Sequence, residues 1–183
     1  MKRAIFLDRD GTLIFDKEYL HKPEEVEFCP GSIAALRRAL EAGFALIMVT
    51  NQSGVGRGYF TLEDVHRVHE YIEKELARGG VTLKGIYIAP EAPELPSRGR
   101  KPSPQFLFDA RDEFGIDLAR SYMVGDKMSD LQCGWNAGVD KSILVRTGEG
   151  LKTEAKQREQ LRDAPIVEDL AQAIDLILER YRA

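Results

Sequence analysis

The sequence predicts an α/β protein, a parallel sheet of about five main strands with helices on both faces. Three observations predict it. Short apolar runs with β-branched or aromatic content recur along the chain, segments with helical apolar spacing separate them, and Gly or Pro punctuates most junctions. With 183 residues the chain is expected to be a single domain, 1–183, large enough to bury a core.

The elements follow in order. Residues 4–7 form the first apolar run. Residues 32–42 place Ile33, Leu36 and Leu40 on one helical face, with Gly43 as a stop. Residues 45–50 read as the second strand. Thr61 opens a helix as a capping box with Asp64 in the usual Glu place; Val65, Val68, Ile72 and Leu76 face inward, and Gly79-Gly80 ends it. Residues 85–89 are the third strand, and Ser103-Pro104 starts a helix that Gly115 stops. Residues 121–124, a short helix over 131–137 ended by Gly138, and residues 142–145 come next. A last helix over 168–181 turns Leu170, Ile174, Ile177 and Leu178 inward, while 90–102 and 147–165 read as irregular.

Composition narrows the function classes. Apolar residues at 43% and charged residues at 31% are ordinary for a soluble globular chain. A net charge of −4 argues against general nucleic-acid binding, which needs a basic face. The longest apolar run, 44–49, is too short to span a membrane. Asp8 and Asp10 interrupt the N-terminal apolar run, so no secretory signal is expected. The two cysteines, Cys29 and Cys133, form no metal motif and no disulfide framework. A cytoplasmic monomer acting on a small molecule, with no nucleic-acid or membrane partner, is the expectation.

The polar residues fall in a pattern. Ligands of open α/β sheets bind outside the carboxyl ends of the strands. Asp8 and Asp10 follow the first strand, Thr50-Asn51 closes the second, Lys101 lies in the loop after the third, and Asp126-Lys127 follows the fourth. Three carboxylates, a hydroxyl and an ammonium on one rim are costly to desolvate unless a cation and an anion complete them. Mg²⁺ with a phosphate does so, because carboxylate oxygens suit a hard cation while Lys and Thr suit phosphate. A calcium loop on Asp8-x-Asp10 fails on spacing, since Leu13 and Tyr19 occupy the places of its Gly and Glu.

The set Asp8-x-Asp10-Gly11-Thr12, Thr50-Asn51, Lys101 and Gly125-Asp126-x-x-x-Asp130 resembles the four motifs of the haloacid dehalogenase-like superfamily. The resemblance covers nearly the whole chain and implies a Rossmann-like sheet and a phosphoaspartate mechanism. On it, Asp8 is the nucleophile and Asp10 the acid and base. Asp8, the Asp10 carbonyl and Asp126 hold Mg²⁺. Thr50, Asn51 and Lys101 bind the transferring oxygens, with Lys127 and Asp130 in support, Asp130 orienting Lys101 or the waters of the metal. An acid at Asp10 favours a phosphatase or mutase, and the short stretch between Thr12 and Ala45 leaves no room for a full cap domain.

The narrower resemblance is to the histidinol-phosphate and heptose-bisphosphate phosphatases, through 7–13, 50–54 and Arg100-Lys101-Pro102. Arg57-Gly58-Tyr59-Phe60 is similar to the heptose-bisphosphate branch. It implies D-glycero-D-manno-heptose 1,7-bisphosphate as substrate, on the route to nucleotide-activated heptose for lipopolysaccharide or S-layer glycans. The distal phosphate would meet Arg57 and Arg100, with Arg98 a further candidate; histidinol phosphate is the alternative substrate. The zinc loop of that subgroup lacks its Cys and His ligands here, so no zinc is expected at 90–99. A phosphoacceptor signalling domain is the alternative of another class; it would place the acceptor Asp after the third strand, where Ala89-Pro90 stands.

Overall fold

The computed structural model describes residues 2–182, folded around one six-stranded sheet. β1 (Arg3–Leu7) leads to α1 (Ser32–Glu41), β2 (Phe44–Asn51) and the one-turn α2 (Ser53–Gly56). Then come α3 (Leu62–Arg78), β3 (Gly85–Ala89), α4 (Gln105–Phe114), β4 (Tyr122–Gly125) and α5 (Met128–Ala137). β5 (Lys141–Val145), α6 (Gly150–Gln157), β6 (Ile166–Val167) and α7 (Leu170–Arg182) complete the chain. Every strand pairing is parallel, in the order β3-β2-β1-β4-β5-β6.

The continuous apolar strands are explained by burial on both faces. Ile5 and Leu7 of β1, Leu46 and Met48 of β2, and Tyr122 and Val124 of β4 face a core shared with Leu36 of α1, Ile72 of α3 and Ile174 of α7. The alternate residues Phe6, Ile47, Val49 and Met123 face a second core with Leu107 of α4 and Cys133 of α5. The period of two along each strand therefore feeds two layers of helices. The capping box of α3 forms: Asp64 N donates to Thr61 Oγ1 at 3.1 Å, and Thr61 N donates to Asp64 Oδ2 at 2.7 Å.

The structure corrects the sequence reading in three places. A sixth strand, β6, pairs Leu144 with Ile166 and Val145 with Val167; two residues are too few to show a period. The stretch 147–165, read as irregular, contains α6, which buries only Gly150 and Thr153 and so has no apolar stripe to betray it. α5 starts at Met128, three residues before the expected 131, with its backbone start tied by Lys127 N donating to Asp130 Oδ2 at 2.9 Å.

The chain order reverses direction between β1 and β4. β1, β2 and β3 step one way across the sheet, and β4, β5 and β6 step the other. Leu7 pairs with Val124 at that reversal, and Asp8 N donates to the Val124 carbonyl at 3.0 Å. A crevice opens at such a switch point because the two connections leave toward opposite faces. No domain is inserted over it: residues 8–31 and 90–104 are loops among the described residues, apart from one short turn at 23–25. No helix among the described residues is long and apolar enough to cross a membrane.

Candidate active site

The rim at the switch point gathers the predicted residues. Asp8 leaves β1 and Asp126 leaves β4, both buried. Gly11, at φ +81°, turns the chain after Asp10, and Gly148, at φ +58°, approaches from the β5–α6 loop. A side-chain carbon on either glycine would sit 2.4 Å or 2.2 Å from Asp126 Oδ2. The absence of side chains there is what lets two loops close around that carboxylate.

Lys101 is buried between two carboxylates and a backbone carbonyl. Its Nζ lies 2.7 Å from Asp8 Oδ1, 2.6 Å from Asp130 Oδ1 and 2.9 Å from the Val49 carbonyl. Burial pushes its pKa down, but Asp130 and Asp8 outweigh this and raise it. Asn51 grips the backbone of the same residue: Lys101 N donates to Asn51 Oδ1 at 3.0 Å, and Asn51 Nδ2 donates to the Lys101 carbonyl at 3.2 Å. Asn51 thus acts first as a tether of Lys101. Thr50 Oγ1 accepts from Gln52 Nε2 at 2.7 Å.

Asp8, Asp126 and Asp130 each offer an oxygen, and these lie within 4.8 Å of one another. Burial first, then the neighbouring carboxylates, raise Asp126 to about 8; burial likewise raises Asp8 to about 6, against the pull of Lys101. Asp126 Oδ2 accepts from Glu149 N at 2.8 Å, but the buried Oδ1 has no partner. A buried carboxylate oxygen without a partner inside a crowded acidic cluster is stabilised by a cation, and all-oxygen donors suit a hard divalent ion such as Mg²⁺. The residues present fit that ion.

Asp10 stands apart from the other carboxylates. Burial pushes its pKa up, but the Arg9 guanidinium and Gln52 outweigh this and hold it below the usual range. Arg9 Nε donates to Asp10 Oδ2 and Nη2 to Oδ1, both at 2.9 Å, and Gln52 Nε2 adds a bond to Oδ2 at 2.9 Å. Arg9 is itself 1% exposed. Its remaining donors reach Gln52 Oε1, the Leu20 carbonyl and His69 Nε2. Arg9, Gln52 and His69 were not singled out from the sequence. The signal for His69 was its place between Val65, Val68 and Ile72 on the inward face of α3.

A cavity of about 310 Å³ opens over Asp10, with Arg9, Gln52, Tyr19, Phe60 and Lys127 in its wall. A smaller one of about 40 Å³ lies against Asp8, Lys101 and Asp130, and shares Asp10, Asn51 and Lys127 with it. Lys127 pairs with Asp16 at 3.5 Å. Its pKa is raised, burial notwithstanding, by Asp126 and Asp8. Tyr19 meets the Tyr59 ring edge-on at 4.7 Å.

Arg57 and Arg100 lie in neither cavity wall. They are neighbours on facing loops: burial, then the charge of Arg57, lowers the pKa of Arg100. Arg57 pairs with Glu94 at 3.8 Å, and Arg100 Nη1 donates to the Glu91 carbonyl at 3.1 Å. The 91–100 loop is closed by Ser97 Oγ, which donates to Glu91 Oε2 at 2.6 Å and accepts from Arg100 N at 3.1 Å. Arg98, the further candidate, is engaged by Asp109 of α4.

Comparison with known proteins places this rim. The family model described as HAD-hyrolase-like matches residues 99–173. The D-glycero-beta-D-manno-heptose-1,7-bisphosphate 7-phosphatase of Photorhabdus laumondii is 41% identical over 165 residues, covering 86% of this chain and 88% of that protein. That of Escherichia coli K12 is 44% identical over 160 residues, covering 84% of each. The crystal structure of the D,D-heptose 1,7-bisphosphate phosphatase from B. bronchiseptica, complexed with magnesium and phosphate, superposes with a TM-score of 0.90 at 34% identity, covering 98% of this chain and 99% of that one. Motifs, topology and likeness agree: the chain belongs to the haloacid dehalogenase-like hydrolases, in the branch of the heptose-bisphosphate phosphatases.

Proposed function

We propose that the chain is a Mg²⁺-dependent phosphatase of D-glycero-β-D-manno-heptose 1,7-bisphosphate that removes the 7-phosphate, acting as a monomer in the cytoplasm. The observation that carries the chemistry is the meeting of Asp8, Asp126 and Lys101 at the switch point. Asp8 attacks phosphorus and becomes an acyl phosphate. Asp10, held ionised by Arg9 and Gln52 in the substrate-free fold, takes up a proton beside the bound phosphate dianion, gives it to the departing sugar alkoxide, then takes the proton of the water that cleaves the acyl phosphate. Lys101 and Thr50 stabilise the transferring oxygens, and Asn51 and Asp130 keep Lys101 in place. When bound by Asp8, the Asp10 carbonyl and Asp126, Mg²⁺ offsets the repulsion between carboxylate and phosphate.

The substrate rests on the names of the relatives and on the Arg57–Arg100 pair beside an uncapped site. The distal phosphate bridges the two arginines, displacing Glu94. The 91–100 loop is ordered by Ser97 and Glu91 without zinc. The test compares kcat/KM for the heptose bisphosphate, fructose 1,6-bisphosphate and histidinol phosphate, with elemental analysis of tag-free protein. A clear preference for histidinol phosphate overturns the substrate; one zinc per chain overturns the metal-free loop.

A further inference from the structure

Arg9 is an expensive residue to bury, and the fold surrounds it from four segments. Its guanidinium faces both oxygens of Asp10, Gln52 after β2, the Leu20 carbonyl of the loop after β1 and His69 of α3. A guanidinium only donates, so the 3.3 Å contact of Arg9 Nη1 with His69 Nε2 requires an accepting, neutral imidazole with its proton on Nδ1. Burial, then the charge of Arg9, keep that ring neutral, with its pKa pushed down to about 3. A carboxylate in place of His69 would compete for the guanidinium; a neutral acceptor satisfies Nη1 and leaves the charge directed at Asp10.

The two-pronged grip has a geometric consequence. Asp10 Oδ2 takes two bonds, from Arg9 Nε and Gln52 Nε2, while Oδ1 takes one, from Arg9 Nη2. With both oxygens held, the carboxylate cannot spin, and Oδ1 carries one bond fewer than Oδ2 in a residue that lines the cavity of about 310 Å³. A group that gives a proton to one oxygen and later takes one from another needs a constant position. We propose that Arg9 is a positioning residue that fixes the Asp10 carboxylate for proton transfer, and that His69 is the positioning residue that fixes Arg9. The inference rests on the reading of Asp10 as acid and base.

The test is the dependence of kcat/KM on the leaving group. kcat/KM covers the steps through ester cleavage, where an alkoxide needs a proton and p-nitrophenolate needs little help. Arg9→Lys keeps the charge but loses the fork. His69→Leu removes the acceptor among apolar neighbours and guards against a misfolded Arg9 variant. With near-ultraviolet circular dichroism confirming the fold, both variants lose at least about tenfold more on an alkyl phosphate than on p-nitrophenyl phosphate. His69→Gln, whose amide oxygen can accept the same bond, brings the ratio back to within about threefold of wild type. Equal losses on both esters, or no loss on either, overturn the inference. Asp10→Asn separates the two readings. If it shows no dependence on the leaving group, the acid–base reading falls. If it does while Arg9→Lys and His69→Leu lose uniformly, only the positioning inference falls.

Discussion

Lys101 ties Asp8 to Asp130: one ammonium meets both carboxylates, at 2.7 Å and 2.6 Å, and donates to the Val49 carbonyl at 2.9 Å. Two hydrogen bonds and an ion pair restrain the ammonium on three sides. Asp8 is thereby held on a fixed bearing from the end of β1.

Lys101→Met removes that tie and leaves two buried carboxylates without the ammonium that contacts both. Breaking a buried pair costs about 3–5 kcal/mol, read as a lower urea midpoint in EDTA. Turnover of p-nitrophenyl phosphate falls by about 10²–10³-fold with the loss of a preorganised donor. A variant as stable and active as wild type contradicts both roles.

Asp8→Asn is nearly isosteric and removes the nucleophile. Turnover disappears, and no acid-stable phosphoprotein forms, while circular dichroism is unchanged. Residual activity near wild type would remove Asp8 from the nucleophile's place.

Asp126, at about 8 in the metal-free fold against an ordinary value of 3.8, binds its proton more tightly folded than unfolded. Its contribution is therefore complete at low pH and is lost as pH rises toward 8. Asp8, raised to about 6, acts in the same direction at lower pH, where His69, lowered to about 3, opposes it. The clean window is pH 6.5–8, above the usual His pKa of about 6.5. There metal-free wild type loses up to about 1.4 kcal/mol per pH unit relative to Asp126→Asn. Mg²⁺ flattens the wild-type curve. Parallel curves for the two proteins in EDTA would show that Asp126 is already ionised.

Gly148→Ala places a carbon 2.2 Å from Asp126 Oδ2 in a backbone conformation at φ +58°. The strain and the displaced carboxylate cost more than about 2 kcal/mol. The Mg²⁺ concentration for half-maximal activity rises. An unchanged metal requirement would separate Gly148 from the cluster.

Arg57→Ala lowers kcat/KM for the heptose bisphosphate by about 10- to 100-fold, the worth of one charge-assisted contact of about 1.5–3 kcal/mol. p-Nitrophenyl phosphate, with no distal phosphate, falls far less. Equal losses on both would mean that Arg57 supports the loop instead of binding substrate.

Much of this was legible in one dimension. The strands were readable because both faces of a parallel sheet are buried, so β1, β2 and β4 are apolar without interruption. Asp8, Thr50, Lys101 and Asp126 were readable because each lies at or beyond the end of a strand, and the carboxyl ends of parallel strands share one rim. The order of the strands, the two-residue β6 and the polar α6 were decided only by the folded chain, since none carries a local apolar period. Arg9 shows the limit most plainly. Between Asp8 and Asp10 nothing local marks it for burial, yet it is buried, because Leu13 N and Ile14 N fold back onto its carbonyl and its side chain meets Gln52 and His69. His69 lies 60 residues away in the chain. A pair that far apart leaves no trace in a local pattern; the sheet and α3 bring it together.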